Sequence, residues 1–195
     1  MNKSDESLNF LTLADKYLHL VEIVSFEITN QGNLHVLSSD KDDIDENDYE
    51  QKTRWSDFRI SIPILFNLYH GIELSIKGLL LFSDGCEMKN SHNIEQLFNA
   101  FKDDFPEEEQ IISILNKYLE IKFMNTILKD FLGENNFGVN NFYESLRYPV
   151  NKKHEKTNSY YELKYKPELG LVFFKEVEED VDTLRRESTK FFRKR

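Results

Sequence analysis

The chain has one cysteine, Cys86, so it builds neither an internal disulfide framework nor a cysteine-ligated zinc cluster. Nothing nearby joins a helix N-terminus to a basic partner at that thiol, which reads as inert. Glycine is scarce, at 7 of 195 residues, and no glycine-rich phosphate loop, nucleophile elbow or HExxH motif occurs. P-loop, dehydrogenase, serine-hydrolase and zincin chemistries are excluded, and the sequence calls for no cofactor and no metal. The opening MNKSDESLNF is acidic and polar where a secretory leader is basic and then apolar. The longest uncharged run, between Arg59 and Glu73, falls well short of the roughly 20 residues a membrane span needs. A cytoplasmic protein with no membrane partner is expected. Positive charge is in deficit too. A net charge of -10 argues against broad, sequence-independent binding of DNA or RNA, though it leaves room for a confined basic groove.

What the chain does have is apolar residues at helical spacing. With 39% hydrophobic and 31% charged residues it reads as one globular domain over 1–195, large enough to bury a core without staples. The richest stretch is 58–82. Ile62, Leu65, Phe66, Tyr69, Ile72, Ile76, Leu79 and Leu80 recur along one face, and Ile64, Leu68, Leu81 and Phe82 widen it. A helix so apolar belongs in the middle of a bundle. Gly71, Ser75 and Gly78 give it a small-residue face that lets another helix come close, within the chain or in a second copy. Asn67, His70, Glu73 and Lys77 form its polar stripe, with Glu73 and Lys77 in the favourable order for an i,i+4 pair.

The remaining chain reads mostly as helix. A first helix is expected over 5–29, ended by Gln31, Gly32 and Asn33, with a weak strand pattern at 34–37. Seven carboxylates crowd residues 40–50, but a calcium loop begun at Asp43 would need glycine where Asp48 stands and glutamate where Arg54 stands. Residues 38–53 read instead as a solvated acidic loop. A helix restarts at Ser91 or Asn93, with His92 helping to close its start, and another runs from Pro106 to Gly133. A short helix follows over FYESLRYP. The tyrosine alternation in residues 159–166 suggests an extended segment, and a last helix is expected from about Glu168 to Phe192. Its acidic start and basic end suit the helix dipole, so the basic tail needs no nucleic acid to explain it. His19 and His35 are isolated, and His70 reads as a satisfied buried histidine.

Two stretches carry a resemblance. LYHGIELSIKGLLLF, followed by SHNIEQLF, resembles the paired signature of the HEPN family: a long core helix and a His-Asp-Leu type start to the next. FYESLRYPVNKKHEK resembles that family's late helix, which ends in an arginine followed by a histidine. Together they cover roughly residues 56–185. The resemblance implies an all-α, HEPN-like bundle of about five to six helices around the apolar one. It also implies a prokaryotic toxin-antitoxin or phage-defence setting, a homodimer, and RNA, a nucleotide or an antitoxin protein as partner.

In catalytic members of that family an arginine and a histidine, four to six residues apart, make a metal-independent endoribonuclease. Arg147 and His154 match that spacing here. A histidine is suited to take the 2′-hydroxyl proton near neutral pH, and a guanidinium offers a fork of donors to the phosphorane-like transition state. Lys152 and Lys153 would add local positive field, and Glu73 and Lys77 complete the candidate RNA- or nucleotide-binding residues. Tyr148 and Pro149 follow Arg147 where the family usually carries a polar residue, which favours a binding module over a nuclease. A plainer role for Arg147 is to close a helix end and stack on Tyr148. An unrelated helical scaffold is the third reading.

Overall fold

A computed structural model describes residues 3–35, 45–83, 91–150 and 156–195. Residues 38–44 of the acidic stretch, residues 36 and 37 of the weak strand pattern, Cys86, Lys152, Lys153 and His154 lie outside the described residues. The architecture is all-α. In chain order the helices are α1 (Lys3–Asn30), α2 (Glu46–Thr53), α3 (Asp57–Leu80), α4 (Ile94–Asp104), α5 (Glu109–Leu119), α6 (Thr126–Asn135), α7 (Val139–Ser145) and α8 (Pro167–Lys194). Single 3-10 turns lie at Ile121–Phe123 and Tyr161–Leu163. That is more helices than the expected five to six. Among the described residues no strand forms, only one isolated antiparallel bridge between Val150 and Thr157, and no helix is long and apolar enough to cross a membrane.

Leu65, Ile72, Ile76, Leu79 and Leu80 of α3 are at most 1% exposed, and α3 packs against α1, α4 and α8. Its small-residue face is used within the chain. A Cβ on Gly71 would lie 2.7 Å from Leu18 Cδ2, and one on Gly78 would lie 2.9 Å from Leu11 Cδ2, both on α1. Ser7 Oγ also donates to the Gly78 carbonyl at 2.8 Å. Pro63 is accommodated inside α3, two turns past its start.

Three departures from the sequence reading have local causes. Residues 46–53 are helix rather than acidic loop: the Asp45 side chain accepts from the Asn47 N–H, and Glu46 and Asp48 sit at the positive end of the dipole. The helix expected from Pro106 to Gly133 breaks after Leu119, because Glu120 turns extended and Asn125 caps a new helix by accepting from Ile127 N–H. Residues 159–166 are not a strand. The apolar need of that stretch is met by Leu163, 2% exposed in its 3-10 turn, and Tyr165 takes φ 57° as the chain swings into α8.

That swing is held by a buried junction. α1 ends where Gly32, at φ 77°, lets Asn33 N–H reach back to the Ile28 carbonyl. Asn33 then accepts from Asp57 N–H at 2.7 Å and donates to Asp57 Oδ2 and to the Lys166 carbonyl, each at 3.1 Å. Asp57 in turn accepts the Tyr165 and Lys166 N–H groups at 2.8 Å. The end of α1 and the starts of α3 and α8 are thus tied to two side chains.

Candidate functional site

Glu73 and Lys77 lie one turn apart on α3, so they reach the same side of the bundle, where the approach to α4 and the end of α7 meet them. Both are buried, at 3% and 5% exposure, and Lys77 Nζ donates to Glu73 Oε1 at 2.7 Å. The Glu73 and Lys77 end of the polar stripe therefore faces partner side chains instead of water. His92 reaches the same Oε1 through Nδ1 at 3.0 Å, and the Tyr143 hydroxyl donates to Oε2 at 2.9 Å. His70 Nδ1 lies 2.9 Å from the Tyr143 hydroxyl and 3.8 Å from Glu73 Oε2. The Arg147 guanidinium stands over the Tyr143 ring, 4.4 Å from its centroid.

Burial alone would push the Glu73 carboxyl up. The nearby His70 ring, hydrogen bonding from Lys77 and Tyr143, and the Lys77 charge outweigh it and hold the group well below the carboxylate range. Glu73 is therefore an anion that only accepts. Burial first, and then the Glu73 charge, push the Tyr143 phenol above its ordinary range. Its single proton is spent on Glu73, so His70 Nδ1 must carry a hydrogen toward the phenol oxygen. By the same logic His92 presents Nδ1–H to Glu73, on a side chain 78% exposed. The Lys77 ammonium and the Arg147 guanidinium thus share this spot with the Glu73 carboxylate.

Aromatic rings lie beside that spot. Phe66 stacks near His70 and Tyr143 at centroid distances of 5.8 and 6.1 Å, and Tyr17 meets His70 edge-on at 4.7 Å. Cations beside rings can take a phosphate and a base together. A second titratable group, Lys117, Tyr118, Glu176 and Asp180, has the opposite character. Lys117 bridges Asp180 at 2.8 Å and Glu176 at 3.1 Å, two carboxylates to one ammonium, and burial raises the Asp180 pKa. Its sign is wrong for a phosphate.

Of the residues singled out from the sequence, Glu73, Lys77 and Arg147 come together, joined by Tyr143. Arg147 stacks on Tyr143, one turn back along the chain, and not on Tyr148, which is 57% exposed. The start of α4 is capped by Asn93, accepting from Gln96 N–H at 3.0 Å, which frees His92 for Glu73. Tyr143 and the two histidines were not assigned to the site by sequence reading. Spacing held the signal for two of them: His70 precedes Glu73 by three residues, and Tyr143 precedes Arg147 by four. Nothing local marks His92, whose partner is 19 residues away.

The late basic residues are largely committed within the chain. Arg185 binds Asp15 at 2.7 Å and also Glu22, Lys190 binds Glu187 at 2.7 Å, and Arg195 binds Glu107 at 3.0 Å. Among the described residues no group of three histidine, cysteine, aspartate or glutamate side chains is placed to hold a metal ion. No protein-family model, curated protein or solved structure matches the chain.

Proposed function

We propose that this chain is a HEPN-like bundle organised around α3, acting as a binding module in a prokaryotic defence or toxin-antitoxin setting, with RNA or a nucleotide as its ligand. The observation that supports this reading most is the meeting of Glu73, Lys77 and Arg147 at Tyr143, from segments 70 residues apart. Arg147 supplies the phosphate contact, the half-buried Phe66 supplies stacking surface, and Glu73 holds Lys77, His92 and the buried Tyr143 in register. Lys152 and Lys153, five and six residues beyond Arg147, add positive field in this proposal. The homodimer implied by the family resemblance belongs to the same proposal and is read by sedimentation equilibrium.

The alternative, a metal-independent endoribonuclease through Arg147 and His154, draws on the same guanidinium. One experiment separates the two. Labelled mixed RNA is titrated with wild type, Arg147→Ala and His154→Ala in the presence of a chelator, reading anisotropy for binding and denaturing gels for cleavage. The binding module predicts intact RNA and affinity about tenfold weaker for Arg147→Ala, roughly the 1.4 kcal/mol of one lost charged contact. Cleavage abolished by both substitutions would establish the nuclease, and the absence of both binding and cleavage would remove RNA as the ligand.

A further inference from the structure

The connection from α7 to α8 carries charge of the sign the rest of the chain lacks. Its described residues between Arg147 and Lys166 hold four cations, Arg147, Lys156, Lys164 and Lys166, and one carboxylate, Glu162, in a chain of net charge -10. Glu162 is spent on Lys166 at 2.7 Å. Glu144 on α7 and Glu168 at the start of α8 border the stretch, which confines the positive charge to the connection itself.

The two arms of this connection are tied to each other and to the bundle. The Tyr160 hydroxyl donates to the Ser145 carbonyl at 2.6 Å, and Asn158 donates to the Tyr148 carbonyl from Nδ2 and to the Pro149 carbonyl from its N–H, each at 2.9 Å. Asn135 on α6 accepts the Ser159 N–H at 2.9 Å. Arg147 and Tyr148 are thereby held beside residues 158–160. Of the four tyrosines here, two are committed to packing: Tyr160 lies 5.8 Å from the Phe131 ring, and Tyr165 stacks on Phe58 at 5.0 Å and meets His35 edge-on. The other two are open, Tyr148 at 57% and Tyr161 at 64% exposure. Cations stand among the rings, with Lys164 Nζ 6.0 Å from the Tyr160 centroid and Lys166 Nζ 5.4 Å from that of Tyr161.

Open rings set among cations suit a single strand of nucleic acid, whose bases stack on the rings while its phosphates follow the positive charge. A duplex keeps its bases stacked on one another and offers none to a tyrosine. We propose that this connection extends the Arg147 site into a track for single-stranded RNA, with one base on Tyr148, another on Tyr161, and phosphates at Lys156 and Lys164. The track rests on the RNA reading above and adds that the ligand is a strand of several nucleotides instead of a free nucleotide. The acidic remainder of the surface repels a polyanion, so the strand is kept to this edge of the bundle.

The test uses the full chain and a labelled oligouridylate of about ten nucleotides, read by anisotropy, with unlabelled competitors. The unlabelled long strand should compete at least about a hundredfold better than the dinucleotide UpU, since about tenfold is supplied by its number of registers alone. Tyr161→Ala, at an exposed position, weakens the long strand about tenfold, the worth of one base on one ring, and Tyr161→Phe restores it. Lys164→Gln flattens the dependence of log affinity on log salt by about 0.7, one phosphate contact on a single strand. A gain of about tenfold or less for the long strand, with Tyr161→Ala silent, overturns the track, and Arg147→Ala weakening both competitors would then leave the nucleotide reading standing. Poly-glutamate or an RNA duplex competing as well as the single strand overturns it in favour of a general anion surface. Failure of the labelled strand and of UpU to bind at all overturns the track and the RNA reading together.

Discussion

Asp57 and Glu73 sit on the same helix and are almost equally hidden, at 2% and 3% exposure, yet they are held in opposite ways. Asp57 takes donors that cannot leave: two backbone N–H groups at the start of α8 and the Asn33 amide. His35 Nδ1 stands 3.5 Å away without a hydrogen bond. Glu73 takes its donors from Lys77, His92 and Tyr143, side chains that can rotate away. Fixed donors make a carboxylate part of the architecture. Movable donors leave it able to trade partners when a ligand arrives, and one of them, His92, already stands in solvent.

This comparison is easiest to break at the junction. Asp57→Ala would strand the Tyr165 and Lys166 N–H groups, take one acceptor from the Asn33 amide, and lower unfolding free energy by about 3–5 kcal/mol in urea titrations. Glu73→Gln keeps one acceptor oxygen and the side-chain shape but leaves the Lys77 charge without its anion, so a loss of about 1–3 kcal/mol is expected. A larger loss for Glu73→Gln than for Asp57→Ala would reverse the assignment of the two roles. Gly170→Ala probes the junction from the other side. Its Cβ would stand 2.5 Å from Asn33 Nδ2 and 3.0 Å from Asp57 Oδ2, and overpacking of this kind costs about 1–3 kcal/mol.

Acid titration sharpens the contrast. Glu73 is lowered from its ordinary value of 4.5 in the folded chain, so its contribution to stability is present above that value and is lost as pH falls below it. Urea midpoints measured from neutral pH into the acid range should therefore fall less steeply in Glu73→Gln than in wild type. Identical acid limbs would mean that Glu73 is not held as an anion. The smallest effect on stability is expected from Arg147→Ala, about 0.5–1 kcal/mol from the lost stacking on Tyr143. Its effect on RNA affinity should be the larger of the two.

Much of the fold was legible because its signals are local. The apolar stripe of α3, its small-residue face, the Glu73–Lys77 spacing and the Gly32 stop of α1 can all be read within one or two helical turns. The break between α5 and α6 was not, since apolar periodicity runs on across Glu120 and the cap at Asn125 is a single residue. The tyrosines at 160–165 alternate like a strand, but a carboxylate 108 residues away fixes the backbone there. For the same reason sequence could pair Glu73 with Lys77 and could not bring Tyr143 or His92 to them. Contacts across the bundle leave no periodic trace.

Histidine ring resonances test the central claim most directly, because the rings report from separate places in the bundle. Titrating isotopically labelled protein with RNA should shift the His70 and His92 rings, which adjoin Tyr143 and Glu73, and leave His19 and His35 in place. Shifts at His19 or His35 with His70 and His92 unmoved, or no shift at saturating RNA, would contradict a ligand site at Tyr143.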